Sequence, residues 1–291
     1  MLATVAHTNA ALGGMLFLGF LVAGMVFWIV LAHEAFQTGV RAPKYLEWLQ
    51  QRHWSGGDLL HVGIWVSAFF LFFFTMGSWA RNAGLDQHWL HVIAALQNSL
   101  LQLLLGGLLV VRMRGCCRDF RDSFGPRDEE DVRWAHVVPS ILKYYVLALP
   151  AVFSAAWISQ FLVRPFDAEH SFQPVLVFFT DASTPDWFRW WLVGVAVILA
   201  PIVEEALFRG VMLPVLLRKY GIWTSLMVCS VLFALVHGHL PSMLPLTVLG
   251  FGLGAAYLYT GNLLVPIGMH ALFNGVNLLV LMLAGGLPDP I

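Results

Sequence analysis

Eight stretches of this chain are apolar over lengths that suit a membrane-crossing helix, and that feature restricts the fold more than any other. Crossing the hydrocarbon core takes about 20 apolar residues in a helix. The segments lie at about 11–32, 58–79, 89–111, 137–163, 190–217, 222–237, 242–259 and 264–286. The sixth and seventh are short, and charges interrupt the fifth. A soluble domain of this size carries roughly 25% charged residues, whereas here 11% are charged and 59% are hydrophobic. Most of the outer surface must therefore face lipid. The expected fold is an all-α, polytopic membrane helix bundle of about eight transmembrane helices. A net charge of −1 argues against nucleic acid, which calls for a basic patch.

Proline and glycine inside the runs do not argue against helices, because spanning bundles tolerate both and small residues let helices approach closely. The stretch Gly250-Phe251-Gly252-Leu253-Gly254 reads as a packing face, and as a phosphate loop it lacks a flanking strand. No Lys or Arg precedes the first apolar run, so that run reads as a retained helix and not a cleaved signal peptide. Cys116 and Cys117 adjoin a spanning segment among arginines. They read as free thiols facing a reducing cytoplasm or as acylation sites.

Loop charge orients the bundle. The odd-numbered connections carry Arg41, Lys44, Arg52, Arg112, Arg114, Arg118, Arg121, Arg127, Arg133, Arg218 and Lys219, and the even ones only Arg81, Arg164 and Arg189. The positive-inside rule then places the odd-numbered loops in the cytoplasm and both termini outside a cell membrane crossed several times. Residues 112–135 read as a solvated loop and 164–189 as an outer connection with an interfacial segment. The chain divides into 1–135, N-terminal helices and a cytoplasmic loop without an assignable motif, and 136–291, a helix bundle with the polar cluster described next.

An ionisable side chain at the bilayer centre costs about 2.5–3.5 kcal/mol on insertion scales, so such residues are candidates for function. The filter selects Lys143, Glu204, Glu205, Arg209, His237, His270 and the polar Asn274. His61 and His91 lie near helix ends, and Lys143 lies one turn into its helix and can snorkel. Glu205 and Arg209 are four apart and share a helical face, where they can pair. Glu204 is rotated about 100° from Glu205, so Arg209 cannot serve both carboxylates equally well, which makes one Glu a structural anchor and leaves the other for chemistry. His270 and Asn274 are also four apart on one face. Singly, each element is as well explained by a satisfied core histidine, an interhelical hydrogen bond or a structural ion network. Together, three helices each bring groups suited to hydrolysis.

Glu-Glu-x-x-x-Arg at 204–209, Phe-x-x-x-His at 233–237 and His-x-x-x-Asn at 270–274 resemble the three ordered motifs of the CAAX protease and bacteriocin-processing (CPBP, or Abi) family of intramembrane endopeptidases. The resemblance covers roughly residues 187–280. It implies peptide-bond hydrolysis, with Glu204 as base, His237 as its partner in activating water, and His270 with Asn274 at the oxyanion. Glu205 and Arg209 would shape the site. The implied partners are membrane lipids and a peptide or membrane-protein substrate, which a lipid modification would suit.

The family has also been described as metal-dependent, and Glu204, His237 and His270 could hold zinc with an open position for water. No His-Glu-x-x-His motif is present, and a Glu204 ligand would no longer be a free base. The expectation is a reaction without metal or other cofactor. Two competing functions use the same residues. One is a proton- or cation-coupled transporter, which paired halves would favour, although the polar groups fall in the last third alone. The other is a non-catalytic scaffold of the same family.

Overall fold

The structure, a computed structural model, describes residues 45–116, 134–163, 177–180 and 184–283, together with Gly19 and Phe124. The expected first span at 11–32 falls outside the described residues apart from Gly19. So do most of the two long connections and the side chains of His91, Cys116 and Cys117.

The described residues are helical, with no strand among them. The elements are α1 (Leu46–Gln50), α2 (Gly56–Asn82), α3 (Gln87–Cys116), α4 (Trp134–Val163), α5 (Val177–Thr180), α6 (Asp186–Leu217), α7 (Ile222–Leu235), α8 (Met243–Thr260) and α9 (Leu264–Leu283). Six of them are long and apolar enough to cross a membrane. The polytopic bundle is as expected, and the count of eight spans is approximate. The difference lies partly at α7, whose 14 residues extend ~21 Å, short of the hydrocarbon core. It ends at His237 in a turn that Gly238 closes with a φ of 59°, a conformation in which glycine carries no steric cost.

The outer face is apolar. On α2, Leu60, Leu71, Phe72, Phe74 and Trp79 are all exposed, as lipid-facing residues should be. The N-terminus of α2 is fixed by a capping box: Ser55 Oγ accepts from the Asp58 N–H, and Asp58 accepts from the Ser55 N–H at 2.9 Å. Asp58 also pairs with Arg112 of α3. Lys143 is exposed on α4 with its ammonium 5.3 Å from the Tyr144 ring centre. His61 is exposed and accepts from Trp65 Nε1, away from the polar cluster.

Glycines set the spacing around α8, which packs between α7 and α4. A Cβ on Gly250 would stand 3.2 Å from both Ser230 Cα and Phe233 Cδ1, and one on Gly254 would stand 2.7 Å from Leu226 Cδ2. Gly252 faces Ala148 of α4 instead. The 250–254 stretch is thus a packing face on two sides.

Helix α6 is not uniform. Its turns widen at Val195–Leu199 and again at Ala206–Met212, where the backbone is π-helical. Each widening lies just before a proline, Pro201 or Pro214. Proline donates no hydrogen bond, and its ring presses on the carbonyl four residues earlier. Those carbonyls belong to Val197 and Gly210, inside the two widened turns, which take up the strain without breaking the helix. Glu204 and Glu205 lie on the regular α-helical stretch between them.

One apolar core joins the helices before and after residue 135. Leu105 and Leu109 of α3, Val203 and Leu207 of α6, Phe233 of α7, Leu253 of α8 and Met269 of α9 all belong to it.

Candidate active site

The cluster forms where α6, α7, α9 and α3 meet. Glu205 is fully buried, and its Oε1 accepts from Arg209 Nη1 at 2.8 Å and from His270 Nδ1 at 2.9 Å. The pair expected from the i,i+4 spacing is present, and it extends to a histidine on a second helix. Arg209, also fully buried, donates through Nη2 to the Gly250 carbonyl at 2.8 Å. Its guanidinium lies 4.6 Å from the Phe233 ring centre. Removing ions from water costs several kcal/mol each, and only close partners offset that cost. The missing side chain at Gly250 matters here too, since a Cβ would crowd Arg209 Nη2 at 3.3 Å.

Glu204 is outside this pair, as its rotation on the helix required. Its Oε1 accepts from Gln102 Nε2 of α3 at 2.7 Å. Its Oε2 is buried without a hydrogen-bond partner among the described residues, and it stands 3.9 Å from both His237 Nε2 and His270 Nε2. That separation is too long for a direct hydrogen bond and leaves room for one small molecule between the three atoms.

The ring nitrogens have definite roles. His237 Nδ1 lies 2.7 Å from the Phe233 carbonyl, which can only accept, so Nδ1 carries the proton. His270 Nδ1 faces a carboxylate oxygen and carries its proton for the same reason. In the neutral form of either ring Nε2 would then be the lone-pair nitrogen, and both Nε2 atoms lie toward Glu204. The Phe233 ring lies edge-on to both imidazoles, with centres 4.9 and 5.5 Å away, so one buried aromatic fixes both.

Asn274 lies one turn beyond His270. Its Nδ2 donates to the Ala196 carbonyl at 2.8 Å, inside the first widened turn of α6. One amide hydrogen is thereby committed to α6, and the second is available. Four polar side chains named from the sequence, Glu204, Glu205, His237 and His270, come together directly. Arg209 joins through Glu205, and Asn274 lies beside them on α9.

Gln102 was not among the residues selected from the sequence. Unlike Asn274, it has no ionisable residue a turn away on its own helix to mark it, and its place in the apolar run 89–111 was the available signal. It is 3% exposed, deeper than Glu204.

Zinc holds imidazole nitrogen and carboxylate oxygen at about 2.0–2.2 Å, so tetrahedral ligand atoms stand roughly 3.4 Å apart. The 3.9 Å separations around Glu204 Oε2 are wider. No group of three His, Cys, Asp or Glu side chains among the described residues is arranged to hold a metal. Glu204, His237 and His270 match zinc in kind of donor but not in spacing.

Comparison with known proteins agrees with this part of the chain. Residues 185–276, about a third of it, match the family described as Type II CAAX prenyl endopeptidase Rce1-like. The Bacillus subtilis (strain 168) protein named "Putative membrane peptidase YdiL" is 32% identical over 83 residues, 28% of this chain and 34% of that protein. An Escherichia coli protein described only as an uncharacterized 24.3 kDa protein is 36% identical over 97 residues, 32% of this chain and 44% of the other. The B. subtilis protein YpbD is 36% identical over 83 residues, 27% and 40% of the two chains. The matches thus span between a third and a half of these relatives' lengths. No solved structure matches this chain. Residues 185–276 hold Glu204, Glu205, Arg209, His237, His270 and Asn274 in the order and spacing described above, and this part of the chain is similar to the Type II CAAX prenyl endopeptidase Rce1-like family.

Proposed function

We propose that this protein is an intramembrane endopeptidase in which Glu204 is the general base. The observation that carries the reading is the meeting of Glu204 Oε2 with the Nε2 atoms of His237 and His270, 3.9 Å from each. A water between them donates one hydrogen to Glu204 and the other to His237, which aims an oxygen lone pair at the substrate carbonyl. As that oxygen bonds to the carbonyl carbon, Glu204 takes the proton. The C–N bond of the tetrahedral intermediate then breaks as Glu204 hands the proton to the departing amine. Negative charge on the former carbonyl oxygen needs donors, and each is worth roughly 2.7–4 kcal/mol of barrier. The uncommitted N–H of Asn274 is one. His270 Nε2 is the other when it carries a proton, with the ring held in place by Glu205.

No step requires a metal. Glu204 serves as base only if its oxygen is not a ligand, and the donor spacing favours water over zinc. Cleavage should therefore persist in EDTA or 1,10-phenanthroline, and loss of activity restored by added zinc would contradict the metal-free route.

An apolar groove of about 540 Å³ between α4, α6 and α9 supports a substrate with an apolar or lipid-modified portion. Ile141, Val197, Ala271 and Gly275 line it, and Ala271 and Gly275 directly follow His270 and Asn274 in sequence. The substrate is a peptide or membrane protein, and the basic end of the bundle faces the cytoplasm.

The test is cleavage in detergent by the purified full chain, with a prenylated CAAX-terminated peptide and an unmodified spanning peptide as probes. Glu204→Gln and His237→Ala should each lose about 10²–10⁴-fold in kcat, the usual worth of general acid–base catalysis. Equal cleavage by wild type and both variants would remove the assignment.

A further inference from the structure

The region matched to the family begins at residue 185, yet one of the three groups around Glu204 comes from far outside it. Gln102 lies on α3, 102 positions earlier in the chain, and its Nε2 holds Glu204 Oε1 at 2.7 Å. We propose that Gln102 is a positioning residue for the hydrolytic base, so that the active site is completed by α3. The inference rests on the reading of Glu204 as the base.

The contact is built and not incidental. Ala95, Ser99, Gln102, Leu105 and Leu109 are the buried positions of α3, and their spacing of three or four residues makes one helical face. Along this face Ser99 Oγ accepts from Trp191 Nε1 of α6. A Cβ on Gly106 would stand 3.4 Å from Val203, the residue before Glu204, so α3 and α6 run close together here. The face thus brings Gln102 into register with Glu204.

The chemistry fixes which end of the amide faces the carboxylate. Turned over, Gln102 would set its oxygen against another acceptor. As it stands, Gln102 Oε1 is buried without a hydrogen-bond partner among the described residues, which costs about 1–3 kcal/mol. The arrangement retains that cost to keep a neutral donor on Glu204. Arg or Lys at this place would tie up the carboxylate as an ion pair and weaken it as a base. A neutral donor fixes the rotamer, holds Oε1, and leaves Oε2 directed at the two histidines.

The test uses Gln102→Met, equal in length and unable to donate, and Gln102→Glu, with the purified full chain and the two peptide probes named above. In Gln102→Met, kcat should fall tenfold to a hundredfold while KM stays within twofold. The acid limb of the kcat/KM profile should also be displaced from that of the wild type, because a hydrogen-bond donor to Glu204 has been removed. The titratable groups facing Glu204 are His237 from α7 and His270 from α9, with the Glu205–Arg209 pair behind His270. All are unchanged in the variant, so the displaced limb reports on Glu204. Gln102→Glu should recover cleavage on the acidic side, where a protonated carboxyl can donate, and lose it as pH rises and two carboxylates oppose each other.

A wild-type kcat and pH profile in Gln102→Met, with Glu204→Gln inactive, would overturn the role of Gln102 and leave the base in place. Cleavage by Glu204→Gln would overturn both. Should Gln102→Met melt early, the pH profile of Gln102→Glu decides, and a wild-type profile there counts against the proposal.

Discussion

Two neighbouring carboxylates, Glu204 and Glu205, are given different surroundings by a 100° rotation. Glu205 faces Arg209 and His270 and is fully buried, while among the described residues Glu204 faces a neutral amide and two imidazole nitrogens. Removing one partner of a buried pair leaves an unpaired charge and typically costs 3–5 kcal/mol. Arg209→Met should therefore lower the thermal midpoint in detergent clearly, whereas Glu204→Gln should leave it within a few degrees while abolishing cleavage. Equal thermal loss in both would mean that Glu204 is also structural. The division between the two glutamates was legible in the sequence, because helix periodicity alone separates them. Gln102 was not, since no ionisable residue lies a turn away from it on α3, as His270 does from Asn274 on α9. Nor was the commitment of Asn274 to Ala196, because no hydropathy pattern reveals the widened turn of α6 that it joins.

At the scale of elements, the positions of the groups depend on two irregularities. The widened turns of α6 absorb Pro201 and Pro214, and α7 stops after 14 residues so that His237 emerges at a helix end inside the bundle. Irregular backbone at that depth is tolerated where protein covers it or water lines it. The glycine face of α8 sets how closely α7 approaches. Gly250→Val should push α7 outward, lower stability and reduce cleavage, since both Phe233 and Arg209 touch that position. Gly252→Ala should be tolerated, because its added methyl would meet Ala148 at an ordinary 3.4 Å. Thermal midpoints and cleavage rates of the two variants check this, and a tolerated Gly250→Val would contradict it. Runs of apolar residues disclosed these helices within a few residues of their ends. The short reach of α7 follows from the turn at Gly238, whose left-handed φ the sequence did not reveal.

The whole molecule has two distinct ends. Gln50 Nε2 donates to the Leu217 carbonyl, Arg218 donates to the Arg52 and Trp54 carbonyls, and Asp58 pairs with Arg112. The first, third and fifth connections of the eight-span count therefore meet at one end, as charge alone suggested. Phe178 of α5 packs on Phe188 within the fourth connection, and Ser159, near the end of α4, donates to the Pro241 carbonyl of the sixth, at the other end. Cysteines placed at Tyr220 and at Gly84 should be labelled from the cytoplasmic and the outer side respectively in intact cells, and the reverse pattern would invert the orientation. The shared core across residue 135 also means that the helices before it are part of the same body as the site. The proposed activation of water by Glu204 to cut a peptide bond within the membrane is tested by quantitative peptidomics of cells carrying either the native chain or Glu204→Gln. Uncut precursors should accumulate, and their new termini disappear, in the Glu204→Gln cells. Identical peptide populations in the two would contradict it.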